Sequence, residues 1–290
     1  MNISSTVTVL IPTFNRSKLL KRAVASVVQQ TYTDLRIVIC DNASTDSTEL
    51  LVHDLMSLDK RIQYFRHASN IGSLKNFSYA FSKVATPFFS VLSDDDFLVR
   101  DFILDGINVL NQYVNVGFVA QNTLFVDDSG MLISTGEHPL TSEVRLFSSC
   151  RRFDAFQNHE VPYIWTGMLF RGELSLLYEK DLQNDIHSDF RFLSKVISRH
   201  NYAYLSKVGA FYTSHFASIS SAKAYFDLEQ HVIDCRGYLD ILQDPMVDEL
   251  MKERVRYYLR KLASINLYRQ AFCEAFRHLL KNCCNSPDLP

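Results

Sequence analysis

The chain has no C-x-x-C pair and no Cys/His cluster with zinc-ligand spacing. Its six cysteines, Cys40, Cys150, Cys235, Cys273, Cys283 and Cys284, read as free thiols of a reducing compartment. That excludes a disulfide-stapled scaffold and a structural zinc module. It contains no run of about 18 apolar residues, so no membrane-spanning helix is expected. Met1 leads within a few residues into a strand-like run, without a charged n-region and an h-region. No signal peptide is therefore expected, and the location implied is cytoplasmic. A charge surplus is lacking too: 30 Lys and Arg stand against 32 Asp and Glu, a net charge of −2. The chain as a whole is no general polyanion binder, and no nucleic-acid partner is expected. It shows no internal repeat and no low-complexity segment.

What is present is a core. Apolar residues make up 47% and charged residues 21% of 290, a globular balance, with 14 Tyr and 21 Phe to fill an interior. The length suits one large domain, or one domain with an appended helical part. Residues 7–11 (VTVLI) are short, apolar and β-branched, as in a strand buried on both faces. Leu19, Leu20, Ala23, Val24, Val27 and Val28 then fall on one helical face. A second strand reads 35–40 (LRIVIC), followed by the polar loop DNASTDSTE, in which Asp46 and Glu49 mark a helix start. A third strand covers 62–65. The loop Asn70-Ile71-Gly72 leads to a helix with Leu74, Phe77, Phe81 and Val84 on one side. A fourth strand, 88–92 (FFSVL), runs into Ser93-Asp94-Asp95-Asp96.

Strand and helix alternating over short connections predict an α/β fold: a doubly wound, mixed but mostly parallel sheet with flanking helices. From residue 116 the pattern changes. GFVA reads as a strand, 124–133 as a hairpin around Asp128-Ser129-Gly130, and 162–171 (PYIWTGMLFR) as a strand. Phe190, Leu193, Val196 and Ile197 suit a helix, and 202–205 and 208–212 two short strands. Beyond Ser221 the chain reads as wholly helical. The expected organisation is a sheet domain over 1–220 and a C-terminal helical extension over 221–290. Residues 251–281 hold eight Lys and Arg against two Glu. Val255, Tyr258, Leu259, Leu262 and Ile265 form a packing stripe there. The opposite Lys/Arg face can meet anionic lipid or a lipid-linked diphosphate, a peripheral contact at the inner face of the plasma membrane.

Ligands in such sheets bind beyond the carboxyl ends of the strands. Three polar clusters stand at such ends: 13–16, 41–46 and 94–96. Adjacent carboxylates repel one another, and desolvating them is costly unless a cation is present. Hard oxygen ligands suit magnesium or manganese, which can bridge carboxylate and diphosphate. The bland alternative for Asp94-Asp95-Asp96 is a solvated acidic turn; position after an apolar strand favours a ligand site. Asp41 can accept hydrogen bonds from a nucleobase or ribose, whereas Asp46 is assigned to helix capping.

VTVLIPTFNR, DNASTDST, NIGSLKN and SDDD, in that order over residues 5–110, resemble the amino-terminal half of inverting glycosyltransferases of family 2, with the GT-A fold. The resemblance implies a nucleotide-diphosphate-sugar donor and a divalent metal, manganese or magnesium. It puts Pro12, Thr13, Asn15, Arg16, Asp41, Asn70, Gly72, Lys75, Asp94 and Asp95 at the donor. Asp94-x-Asp96 matches the D-x-D motif, with Asp96 touching the metal and Asp94 near the ribose and sugar. His187-Ser188-Asp189-Phe190 aligns with the family's Glu-Asp-aromatic segment, with Ser188 in place of Glu. Asp189 is thereby the candidate base, Asp185 the rival, and a helix cap the structural alternative. An inverting transfer needs one such base for the acceptor hydroxyl. Tyr212-Thr213-Ser214-His215 resembles the segment after the last core strand, so His215 is a candidate for metal or diphosphate, and Thr213 stands where the family often has Arg. Trp165 and Thr166 resemble the acceptor side, Trp165 either stacking on a sugar or belonging to the core. The acceptor implied is a glycan or lipid-linked hydroxyl, in assembly of a bacterial surface polysaccharide. Two alternatives stand: a non-catalytic sugar-nucleotide-binding or scaffold protein on this fold, and a nucleotidyltransferase. The latter usually carries a Gly-rich basic loop after its first strand, and residues 12–16 contain no Gly.

Overall fold

The structure is a computed structural model that describes residues 5–135, 140–148, 151, 152, 155, 160, 161, 164–178 and 188–214. The helical extension expected over 221–290, with its basic face at 251–281, lies outside the described residues, as do Asp185 and His215.

Four parallel strands open the fold. β1 (Val7–Thr13), β2 (Leu35–Asp41), β3 (Ile62–Arg66) and β4 (Phe88–Val91) pair in the order β3-β2-β1-β4. All seven β1 residues are buried, as expected of a strand covered on both faces. The connections are helical: α1 (Ser17–Val28), α2 (Thr48–Leu58) and α3 (Ser73–Phe81). In α1, Leu20, Ala23, Val24 and Val27 are buried against the sheet, the stripe expected from the sequence.

The sheet then widens. β5 (Phe97–Leu98) follows the acidic loop, and α4 (Phe102–Gln112) leads into β6 (Val116–Val126). β7 (Leu132–Ser134) returns along β6 as the expected hairpin, and β8 (Val144–Phe147) pairs with β10 (Asn201–Thr213). β9 (Met168–Arg171) lies antiparallel between β4 and β6, while β6 and β10 run parallel. α5 (Ser188–Arg199) precedes β10. The sheet order along its main path is β3-β2-β1-β4-β9-β6-β10-β5. The fold is thus α/β and mixed, its parallel half followed by antiparallel insertions. No helix among the described residues is long and apolar enough to cross a membrane. Cys40 is a buried free thiol, pushed up to about 12 by burial.

Three sequence expectations change. The strand expected over 162–171 begins only at Met168, and Trp165–Gly167 form a 3-10 turn. Gly167 is the reason: a Cβ there would lie 2.4 Å from Thr123 Oγ1 and 3.0 Å from the Gln121 carbonyl, so the turn presses directly on β6. The two strands expected at 202–205 and 208–212 are one strand with a register shift between Leu205 and Val208. α4 was not anticipated, although Phe102, Ile103, Gly106, Ile107 and Leu110 make its buried face.

Candidate active site

The register of β1 and β2 puts Thr13 beside Asp41 at their carboxyl ends. β4 stops three residues earlier, with Val91 opposite Leu10, so its outgoing chain carries Asp94 over the end of β1. There the Thr13 hydroxyl donates to Asp94 Oδ2 at 2.7 Å. Arg16, in the loop after β1, donates through Nη1 to Asp94 Oδ1 at 3.1 Å and to Asp95 Oδ2 at 2.7 Å. Asp96 is fully buried. Its Oδ2 accepts from the Thr166 hydroxyl at 2.6 Å, and its Oδ1 from the Thr213 backbone N–H at 2.8 Å. The first half of the chain thus supplies the carboxylates, and the turn before β9 and the end of β10 hold the innermost one.

The electrostatics are those of an acidic surplus. Burial raises the Asp94 carboxyl to about 6, against the pull of Arg16. Burial, then repulsion from Asp95, drives Asp96 higher still, although the bonds from Thr166 and Thr213 favour its charged form. Arg16 loses some stability of its charge to burial, but Asp94 and Asp95 outweigh that and raise its pKa. Asp95 is the most open of the three, with 14% of its side chain exposed against 8% for Asp94.

Asp41 anchors a second group. Its Oδ1 accepts from the Ser44 N–H at 2.9 Å and the Ser44 hydroxyl at 2.6 Å. Its Oδ2 accepts from Tyr64 at 2.5 Å and lies 3.6 Å from Arg66 Nε. Asn15 and Ala43 both have positive φ, 53° and 63°. For a residue with a Cβ that conformation costs about 1 kcal/mol, and here the two loops hold each other in it. The Asn15 N–H donates to Ser44 Oγ at 2.9 Å, and the Thr45 N–H to Asn15 Oδ1 at 2.7 Å. Asp46 accepts from the N–H of Ser17 and of Thr48, at the starts of α1 and α2, which is the capping role expected of it. Its pKa is lowered because these bonds outweigh burial.

The loop before α3 is built around Asn70, whose Oδ1 accepts from Asn42 Nδ2 and the Gly72 N–H. Gly72 has a φ of +87° with open space around it, so backbone freedom rather than room calls for glycine. Lys75 is exposed on the first turn of α3. Pro12 lies buried within β1, opposite Cys40.

The structure brings together Thr13, Arg16, Asp94, Asp95, Asp96 and Thr166, and links Asn15 and Asp41 through Ser44. Thr166 is fully buried, and its hydroxyl donates to Asp96. Trp165 is nearly buried and stacks on Phe77 with centroids 5.0 Å apart, the core alternative. Asp189 stands half-buried in the first turn of α5. Tyr64 and Arg22 were missed; nothing in a strand residue or in the polar side of α1 announces a partner so far along the chain.

A divalent cation suits this cluster in one mode. Among the described residues no group of three or more His, Cys, Asp or Glu side chains is arranged to hold a metal. Arg16 pairs with Asp94 and Asp95, and among the described residues each Asp96 oxygen accepts one of the bonds given above. A magnesium-like ion commonly takes one or two carboxylates and completes its shell with phosphates and water. The residues present fit that arrangement.

An acidic cluster thus stands beyond the carboxyl ends of the parallel strands, the place where open α/β sheets bind ligands. The comparisons make this specific. The profile of the family described as Glycosyl transferase family 2 matches residues 8–172, more than half of the chain. The chain belongs to that family. It is 32% identical over 111 residues to the GalNAc(5)-diNAcBac-PP-undecaprenol beta-1,3-glucosyltransferase of Campylobacter jejuni, covering 38% of this chain and 35% of that protein. It is 30% identical over 154 residues to the chondroitin synthase of Escherichia coli, covering 52% of this chain and 22% of that protein. The matched part is thus about a third and a fifth of these relatives. Among solved structures, S. aureus TarS 1-349 superposes with a TM-score of 0.59 at 16% identity, covering 86% of this chain and 70% of that chain. The mannosyltransferase PcManGT of Pyrobaculum calidifontis, in complex with GDP-Man and Mn2+, superposes with a TM-score of 0.58 at 16% identity, over 93% and 80% of the two chains. The fold is GT-A.

Proposed function

We propose that this chain is a glycosyltransferase that moves a sugar from a nucleotide-diphosphate-sugar to a hydroxyl of a glycan or lipid-linked acceptor, with inversion. The observation that carries the reading is the buried Asp94–Asp96 cluster at the end of β4, tied to β1 through Thr13 and Arg16. The relatives point the same way: one acts, by its name, on an undecaprenol-linked substrate, and TarS has been solved with UDP and with UDP-GlcNAc.

In this reading Asp96 would hold manganese or magnesium, which when bound would supply charge neutralisation for the departing nucleoside diphosphate. The chain's own residues do the rest. Thr13 and Arg16 fix the Asp94 carboxylate, which faces the ribose and sugar. Arg16 is half-exposed above Asp94 and Asp95 and can turn a guanidinium edge to the diphosphate. Asp41 shapes the nucleotide pocket, its own oxygens taken by Ser44 and Tyr64. Asn70, Gly72 and Lys75 border it, Lys75 with a free-reaching cation. Asp189 takes the proton from the acceptor hydroxyl as that oxygen attacks the anomeric carbon in line, so inversion follows from one displacement. Orientation and charge stabilisation supply most of the barrier lowering. The eight Lys and Arg of 251–281 give a sequence-based reason to expect contact with the membrane surface that presents the acceptor. Surface-polysaccharide assembly is the setting.

The test is a panel of nucleotide-sugars assayed for release of nucleoside diphosphate with and without Mn2+. Release that requires metal, lost in Asp96→Ala and Asp189→Ala with the fold intact, is the expected result. Wild-type turnover in Asp189→Ala would remove it as the base. Binding of nucleotide without hydrolysis or transfer would favour a non-catalytic binding protein.

A further inference from the structure

Arg22 projects from α1 into the space between the acidic loop and the end of β10. Its Nη2 donates to the Asp95 carbonyl at 2.6 Å and to Thr213 Oγ1 at 2.7 Å. The Thr213 hydroxyl donates to that same carbonyl at 2.5 Å, so guanidinium, hydroxyl and carbonyl close a ring of bonds. The Thr213 backbone N–H reaches the neighbouring carboxylate, Asp96 Oδ1, at 2.8 Å. The guanidinium carbon sits 4.7 Å over the Phe97 ring, and Nη1 faces the Asp128 carbonyl of the β6–β7 turn at 3.5 Å. Arg22 Nε is buried without a hydrogen-bond partner among the described residues.

The choice of partners is informative. A guanidinium among three carboxylates would ordinarily form ion pairs with them, as Arg16 does with Asp94 and Asp95. Arg22 instead grips neutral groups on either side of Asp96, while Thr166 and the Thr213 N–H take one bond each to its oxygens. A direct Arg22–Asp96 pair would compete with a bound cation; here the guanidinium bonds the neighbours of Asp96 and leaves its carboxylate oxygens to Thr166 and Thr213. An unpartnered buried N–H costs about 1–3 kcal/mol, so packing alone gives no reason for arginine at this position.

We propose that Arg22 is a positioning residue: acting through Thr213 and the Asp95 carbonyl, it fixes the direction of the Asp96 carboxylate toward the cation that accompanies the donor diphosphate. The proposal rests on reading Asp94–Asp96 as the donor site. Groups that orient a metal ligand without touching the metal commonly change metal affinity by about 10- to 100-fold when removed.

The experiment measures Mn2+ affinity, with uridine diphosphate in excess, from the loss of the free-ion EPR signal. The variants are Arg22→Lys, Thr213→Val, Thr213→Ser and Asp96→Asn, each with its thermal midpoint. Arg22→Lys loses the fork, Thr213→Val loses the hydroxyl but keeps the N–H to Asp96, and Thr213→Ser keeps both. About tenfold weaker Mn2+ binding is expected in Arg22→Lys and Thr213→Val, with affinity restored in Thr213→Ser. Lower thermal midpoints with unchanged Mn2+ affinity in the folded protein would make Arg22 a tether and overturn the proposal. If Arg22→Lys fails to fold, the Val and Ser variants of Thr213 decide by the same criterion. Asp96→Asn separates the two levels: weaker Mn2+ binding there supports the underlying reading, and an unchanged titration overturns that reading and the proposal with it.

Discussion

The Thr13 hydroxyl stands 2.7 Å from Asp94 Oδ2 and ties the end of β1 to the loop leaving β4. Residues 81 positions apart in sequence thereby form one edge of the proposed donor site. The bond also opposes the effect of burial on Asp94, whose carboxyl stands at about 6.

Replacing Thr13 by Val keeps the shape and removes that bond. The expected cost is about 1 kcal/mol of stability, read as a shift in the urea midpoint. In the assay for nucleoside diphosphate release, the KM for the donor should rise more than kcat falls, because Asp94 is assigned to binding. A fall in kcat alone, at unchanged KM, would contradict that assignment.

Asp41 gives a sharper stability test. It is fully buried and accepts from Ser44 twice and from Tyr64. Asp41→Ala leaves the Ser44 N–H, the Ser44 hydroxyl and the Tyr64 hydroxyl without an acceptor, and the positive-φ turn at Ala43 without its brace. A loss of about 3 kcal/mol or more is expected in equilibrium unfolding. Tyr64→Phe removes one donor only and should cost about 1 kcal/mol.

How much of this was legible in the sequence differs between the two halves. The parallel half was read closely because β1, β2 and β4 are short apolar runs that carry polar residues at their carboxyl ends, and position alone then marks Thr13, Asp41 and Asp94–Asp96. The antiparallel half resisted because its pairing is long-range. Thr166 reads as a hydroxyl in an apolar strand, and its partner Asp96 lies 70 residues earlier. Thr213 reads as a departure from the family pattern, whereas its N–H holds a carboxylate 117 residues away. Arg22 sits beside the apolar stripe of α1, where a cation reads as the solvated side of an amphipathic helix. Period and propensity report which face is buried; they carry no information on which loop a side chain then meets.

Gly167 illustrates a contact that only the fold reveals, and it can be tested. A methyl group there would meet Thr123 Oγ1 and the Gln121 carbonyl, and backbone cannot yield as a flexible side chain can. Gly167→Ala should destabilise by about 2 kcal/mol through overpacking. Because Thr166 immediately precedes it and holds Asp96, donor-dependent activity should fall more than the loss of folded protein explains. Activity that merely tracks the folded fraction would separate the turn from the site.

The acidic cluster also fixes the sign of a pH effect on the metal-free protein. Asp94 and Asp96 have carboxyl groups raised above the usual 3.8, so across the interval the folded state binds more protons than the unfolded one. Stability then falls as pH rises through that interval, the reverse of a salt-bridged aspartate. The loss begins above 3.8; Asp94 completes its part past about 6, and Asp96 extends it further. In Asp96→Asn the ionisation is removed while an acceptor remains for Thr213, so its thermal midpoint should depend less on pH. It should gain on wild type between about pH 5 and pH 8. Excess Mn2+ should raise the wild-type midpoint most at the upper end of the range, where both carboxylates are ionised and the proton no longer competes. A wild-type midpoint that climbs steadily over the same range, with Asp96→Asn following in parallel, would mean that Asp96 is already ionised in the fold and that its charge is neutralised from within the protein.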